Sequence, residues 1–191
     1  MEESTLNPVF TIQNIEGQEF FVYPISIKDG WSLCDFIVRN EDRLSSYFPK
    51  TKAANLTPDL SQRFVQIKSK EFQQEEEFLF TLKPKDSRKI IGLMYVKELD
   101  WKVGQGELAY CIDYNYEGKG LTSKWVTKIS AYAFENLNLN VLQIITHKTN
   151  ISSIRVAEKS NFTWIKTLPK AFTPPGKETL DMELYEKTKN S

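Results

Sequence analysis

The chain has 191 residues, of which 40% are hydrophobic, 13% aromatic and 26% charged, the composition of one globular domain able to bury roughly 70% of the surface its unfolded form exposes. Its 25 basic residues are balanced by 25 acidic ones, which excludes the basic excess of a dedicated nucleic-acid or anionic-membrane binder. Two cysteines, Cys34 and Cys111, and one histidine, His147, supply neither a disulfide framework nor a Cys/His zinc cage within one chain, and no metal site is expected.

No apolar run approaches the roughly 20 residues of a membrane span, and Met1 to Phe10 carries two acids where a leader would carry basic charge, so a soluble, reduced, cytoplasmic protein is expected. Glycosylation-type triplets at Asn55, Asn150 and Asn161 are then chance matches. There is no repeat and no linker, and one domain over residues 1–191 is the expectation.

Phe20 to Ile27 reads as a strand and Lys28 to Arg39 as a helix. A shorter helix around Arg43 to Phe48 should end before Pro49. Pro58 opens a further helix that would keep Leu60, Phe64, Ile67 and Phe72 near one face. Glu77 to Leu82 and Lys89 to Val96 should pair as a hairpin across Pro84 to Ser87. Glu107 to Asp113 alternates, with Leu108, Tyr110 and Ile112 on one face and Glu107, Ala109, Cys111 and Asp113 on the other. A periodic helix follows from Gly120 to Asn136, through Leu121, Trp125, Ile129, Tyr132 and Ala133. Val141 to Thr146 reads as a buried strand and Ser152 to Ser160 as a helix. Closing strands Phe162 to Leu168 and Leu180 to Tyr185 are joined through Lys170 to Glu178. This order implies an α/β chain, a mixed sheet with helices on both faces.

Four of the eight glycines fall between Gly104 and Gly120, and two of them bracket Lys119 between a strand and a helix N-terminus. Such a junction presents several backbone N–H groups without intrahelical partners and suits a phosphate; alone, Gly118-Lys119-Gly120 is equally a tight turn. It is neither a Walker A loop nor a dinucleotide fingerprint.

Four blocks occur in order: Gly106-Glu107-Leu108-Ala109-Tyr110-Cys111-Ile112-Asp113, then Tyr116-Glu117-Gly118-Lys119-Gly120-Leu121-Thr122, then Asn150-Ile151-Ser152-Ser153, then Val156-Ala157-Glu158-Lys159-Ser160-Asn161-Phe162. Their order and spacing resemble the RimJ/RimL-type branch of the GNAT superfamily of N-acetyltransferases, and Arg43, Leu44, Tyr47, Phe48 and Pro49 resemble its early acceptor-side segment. The resemblance implies the GNAT fold, with a splayed central sheet, and an acetyl-CoA site. In it the pyrophosphate lies on the amides from Glu117 through Gly118, Lys119, Gly120 and Leu121 to Thr122. The pantetheine arm runs beside the strand end at Ile112 and Asp113. Asn150 and Ser153 lie near the departing sulfur. Lys119, Lys124 and Lys159 either meet the remaining phosphate charge or are solvated lysines. Two positions depart from the pattern. Glu117 replaces the usual Gln or Arg, and its carboxylate is repulsive to pyrophosphate unless the side chain turns away. Asn161 replaces the usual Gly, a change that Asn tolerates in the left-handed region.

The implied reaction is direct attack of an amine on the thioester in a ternary complex, with CoA as product. It needs a base, a positioned amine and donors for oxygen and sulfur, and no protein nucleophile. Glu107 is the candidate base, its alternative being a structural carboxylate paired with Lys or Arg. Ser153 is the candidate proton donor to the thiolate, its alternative a helix cap. Tyr47 and Phe48, with Phe172 in a late loop from Ala171 to Gly176, are the candidate acceptor-binding residues; aromatic pairs also serve simply as core. His147 reads as structural and Cys111 as a buried apolar residue.

The implied partner is an amine, either a protein N-terminus of the ribosomal kind or a small amine, and a homodimer is compatible with the reading. An α-amine, with pKa about 7.7–8, is roughly 3.5 kcal/mol easier to deprotonate near pH 7 than lysine at about 10.4, and so suits a weak carboxylate base better. The alternative function is a non-catalytic CoA-binding or protein-interaction module of the same fold.

Overall fold

A computed structural model describes residues 7–190. The reading of a leaderless start from Met1 to Phe10 falls in part on residues 1–6, outside the described residues.

Strands β1 (Phe10–Gln13) and β2 (Glu19–Pro24) form an opening hairpin. Four helices follow, α1 (Gly30–Arg39), α2 (Glu41–Tyr47), α3 (Pro49–Ala53) and α4 (Pro58–Gln73). Then come β3 (Phe78–Pro84), β4 (Gly92–Asp100) and β5 (Gln105–Ile112), an antiparallel meander. Helix α5 (Leu121–Asn136), β6 (Val141–Thr146), α6 (Ile151–Lys159), β7 (Thr163–Phe172) and β8 (Leu180–Thr188) complete the chain. Among the described residues the strands make one eight-stranded sheet in the order β1-β2-β3-β4-β5-β6-β8-β7. Every neighbouring pair is antiparallel except β5 and β6, which run parallel. No helix is long and apolar enough to cross a membrane, among the described residues.

The period-2 alternation of β5 divides two cores. Leu108 and Ile112, with Tyr110 beside them, pack with Leu121, Trp125, Ile129 and Ala133 of α5. Ala109 and Cys111 face the opposite cluster, built on Leu33, Phe36 and Ile37 of α1 and Val65 of α4. Helix α5 lies close on the sheet because β4 opens with Gly92. A Cβ there would stand 2.9 Å from Cζ3 of Trp125 and 3.1 Å from the Cys111 carbonyl oxygen.

Several expectations are corrected in detail. β1 is an additional edge strand. Pro49 does not merely end a helix: it stands at the first turn of α3, where its missing N–H costs nothing. On α4 the buried positions are Ser61 and Val65, and Leu60 and Ile67 of the expected apolar face are exposed, at 39% and 56%. The reason is the close crossing of α1 over α4: a Cβ on Gly30 would meet the Gln62 side chain at 2.4 Å, so small residues at the contact take precedence over the longest apolar side chains. β7 runs on to Phe172, so the late connection is the shorter segment 173–179 and Phe172 is a strand residue.

Candidate active site

Parallel pairing of β5 with β6 is confined to Gln105, Gly106 and Glu107 opposite Val141, Leu142 and Gln143. Beyond Glu107 the two strands part. Ile144 to Thr146 continue to pair with β8, and Leu108 to Ile112 with β4, which leaves an open edge on each. The expected splay is present, and Ile112 and Asp113 end its β5 side.

The glycine segment lies just past that end. Gly118 and Gly120 have φ of 71° and 67°, in the left-handed region, and Gly120 is the N-cap of the 16-residue α5 without a side-chain cap. Residues 121–123 open the helix, so their amides have no intrahelical carbonyl, and two left-handed glycines turn the preceding amides the same way. This cradle of amides at a helix N-terminus fits a pyrophosphate. Lys119 lies 3.8 Å from Glu16 of the opening hairpin and over the Tyr116 ring, whereas Lys124 and Lys159 are exposed.

The carboxylate of Glu117 is held by Arg43 of α2. Arg43 also donates to the Ile112 carbonyl at 3.2 Å and lies 4.5 Å over the Tyr114 ring. Asp113, by contrast, turns inward: its carboxylate accepts from Arg39 of α1 and from the Asn115 amide at 3.1 Å. Burial alone would raise the Asp113 carboxyl, but the Asn115 N–H and the Arg39 guanidinium outweigh it and hold the group below its ordinary value. A depressed folded-state pKa gives stability that is complete above the unfolded value of about 3.9 and fades as pH falls through the folded value. Asp113→Asn is therefore expected to cost on the order of 2 kcal/mol at pH 7, with the difference from the unsubstituted protein shrinking below about pH 4. Urea titrations across that range check both parts. A gap that stays constant down to pH 2 would assign the effect to packing instead.

Glu107 stands where the strands separate, its carboxylate 2.9 Å from Lys97 Nζ on the neighbouring β4. Further along β5, its other face presents Tyr110, whose hydroxyl is 3.1 Å from Ser153 Oγ and donates to the Ser153 carbonyl at 3.3 Å. Burial pushes the Tyr110 phenol up to about 12, against the pull of its Ser153 hydrogen bond, so it stays protonated throughout the neutral range. Asn150 is the N-cap of α6, its Oδ1 accepting from the Ser153 amide at 3.2 Å. The cap is thus Asn150, and the Ser153 hydroxyl is paired across the split with β5. Asn161 closes the same helix at φ 63°, the left-handed conformation expected of it.

Glu107, Tyr110, Asn150 and Ser153 share a cleft of about 640 Å³ with Tyr47, Phe48 and Phe172. His147 also lines it, its Nδ1 accepting from the Thr149 amide at 3.3 Å. Tyr47 is exposed at 47%, whereas Phe48 stacks on Tyr95, ring centroids 6.2 Å apart, and so belongs both to the cleft wall and to the adjoining core. The structure thus brings Glu107, Asn150, Ser153, Tyr47, Phe48 and Phe172 into one cleft and sets 117–122 at the open end of β5. Sequence reasoning missed Lys97, Tyr110 and the reach of Arg43. Tyr110 alone had a signal, its place on the face shared with Leu108 and Ile112.

Residues 21–163 match the family model described as acetyltransferase (GNAT) domain. The chain is 29% identical over 116 residues to the uncharacterised N-acetyltransferase p20 of Bacillus licheniformis, a match covering 59% of this chain and 65%, just under two thirds, of that relative. The structure of ribosomal-protein-S5-alanine acetyltransferase from Vibrio fischeri superposes with a TM-score of 0.84 at 21% identity, over 95% of this chain and 98% of that one. Mycobacterium smegmatis RimJ in complex with CoA-disulfide superposes with a TM-score of 0.85 at 12% identity, over 100% and 91%. At these identities the likeness of the structures is one of fold. The family match spans well over half of the chain and contains β5, the glycine segment and the whole of α6, and on it the chain belongs to the GNAT acetyltransferase family.

Proposed function

We propose that this GNAT acetyltransferase, read as one domain over 1–191, transfers acetyl from acetyl-CoA to a protein N-terminal α-amine or a small amine by direct attack in a ternary complex. The observation that carries the proposal is that one cleft joins Glu107 and Tyr110 on the splayed part of β5 and Ser153 to the acceptor-side aromatics, while the amide cradle follows the end of the same strand, outside the lining of that cleft. Acetyl-CoA supplies an activated acyl group and a thiolate leaving group. The amides of 118–122 would hold the pyrophosphate, and the open edge at Ile112 the pantetheine arm.

Glu107, one strand over from Lys97, is assigned the proton lost by the attacking amine, directly or through water. Ser153, fixed by Asn150 at its amide and by Tyr110 at its hydroxyl, is assigned the proton delivered to sulfur. An N-terminal amine is favoured over lysine because its lower pKa asks less of a carboxylate base. The name of the Vibrio fischeri structure, a ribosomal-protein-S5-alanine acetyltransferase, supports the protein-acceptor half of the reading. The Lys97–Glu107 ion pair is what favours the second reading, a CoA-binding module in which Glu107 is structural. Thiol release from acetyl-CoA in the presence of candidate amines separates the two.

The acceptor side has its own test. Tyr47→Ala is expected to raise the acceptor KM by about 10-fold, or lower the rate, with the acetyl-CoA constant nearly unchanged. Shortening 173–179, whose Pro174 and Pro175 close a second small cleft against α2 and α3, should act in the same direction. Steady-state kinetics in both substrates check this. Weakened acetyl-CoA with unaltered acceptor parameters would reverse the assignment of the two ends.

A further inference from the structure

Glu117 places a carboxylate at the first residue of the amide cradle, where an anionic cofactor group would have to come close. Its partner Arg43 is not locked into the core. The Arg43 side chain is 32% exposed and that of Glu117 39%, and one terminal nitrogen of the guanidinium goes to Glu117 while the other goes to the Ile112 carbonyl. The Asp113 amide donates to Ile91 on the β4 side at 2.8 Å, so the alternation of the strand turns the Ile112 carbonyl toward the opposite edge, where β5 parts from β6. Arg43 therefore sits at the mouth of the gap, beside the cradle. Its neighbour Arg39 is committed to Asp35 and to the buried Asp113, and Lys119 has Glu16 at 3.8 Å. A planar guanidinium with one arm on an exposed carboxylate can exchange that carboxylate for a phosphate without losing charge pairing.

Resting on the cofactor reading above, we propose that Arg43 is a shared counter-ion: it holds Glu117 in the free protein and passes to the pyrophosphate when acetyl-CoA binds. Glu117 then sets the affinity by competing for Arg43 and by repelling the phosphates, and the departure of Glu117 from the family pattern becomes a device for weakening cofactor binding. A fixed neutraliser would behave differently, since Arg43 would then matter only while Glu117 is present.

The test is a double-substitution cycle read by calorimetry with CoA, which binds without turnover. Glu117→Gln should tighten CoA by about 5-fold, and Arg43→Gln should weaken it by about 3-fold in the unsubstituted chain and by more, about 10-fold, in the Glu117→Gln background, where no carboxylate competes for Arg43. Arg43→Lys, which keeps the charge and loses the fork, should fall between Arg43→Gln and the unsubstituted protein, and melting without ligand checks that each variant folds. If Arg43→Gln does not fold, Arg43→Lys in the two backgrounds carries the test in the same sense. An Arg43 effect that vanishes in the Glu117→Gln background, or a Glu117→Gln variant that binds CoA no more tightly, overturns the proposal. Failure of the unsubstituted protein to bind CoA at millimolar concentration is a separate result, which removes the cofactor reading itself.

Discussion

Replacing Glu107 with Gln is expected to lower turnover by about 10²-fold or more while acetyl-CoA still binds. The substitution keeps shape and hydrogen-bonding capacity and removes basicity. Glu107 is the last β5 residue paired with β6, so its side chain leaves the strand where the sheet opens, among the residues that line the cleft. Lys97 at 2.9 Å holds the carboxylate in place on the β4 side. If Glu107 takes the amine's proton, the loss should lie in kcat and remain at saturating acceptor. Unchanged turnover at saturation would leave Glu107 the structural partner of Lys97.

Gly120→Val should abolish stabilisation by acetyl-CoA. For the unsubstituted protein, ligand at 100 times its dissociation constant adds about 2.7 kcal/mol, or about 5–10 °C in Tm for a chain of this size. Gly120 has φ of 67°, where a β-branched residue is an outlier, and its Cβ would lie 3.3 Å from Cγ2 of Ile15 in the opening hairpin. Valine would therefore either distort the cradle or project into the space that phosphates need. Gly118 is also left-handed, at φ 71°, with nothing within 4 Å of a Cβ, so Gly118→Ala should strain the loop and cost only part of the shift. A normal acetyl-CoA shift in Gly120→Val, with the free protein's Tm in hand, would move the phosphate site elsewhere.

The elements that sequence made legible are those whose pattern is local. The 3.6-residue period of Leu121, Trp125 and Ile129 and the alternation of Leu108, Tyr110 and Ile112 both describe faces that pack as expected, in one core. β1 was not legible, being a four-residue edge strand made largely by the register of its partner β2. On α4 Phe64 and Phe72 pack against the cores as expected, whereas Leu60 and Ile67 are exposed, because the close crossing of α1 at Gly30, far in sequence from Gln62, fixes which side of α4 is covered. The candidate site divides in the same way. The glycine cradle and the Asn150–Ser153 cap are contiguous motifs, whereas Tyr110 with Ser153, Arg39 with Asp113 and Arg43 with Glu117 join residues 43 or more positions apart. No period or spacing encodes such pairs; they follow from tertiary packing, which sets α1 and α2 beside the end of β5 and α6 within reach of Tyr110.

The most direct measurement is release of the CoA thiol from acetyl-CoA in the presence of short peptides, each supplied with a free N-terminus and with a blocked one, and with polyamines and amino compounds in parallel. The account predicts stoichiometric thiol release with a free amine and none with the blocked form, with mass spectrometry placing one acetyl group on the acceptor nitrogen. Acetyl-CoA that binds and stabilises the fold, yet yields no thiol with any free amine, would contradict it and leave a CoA-binding module.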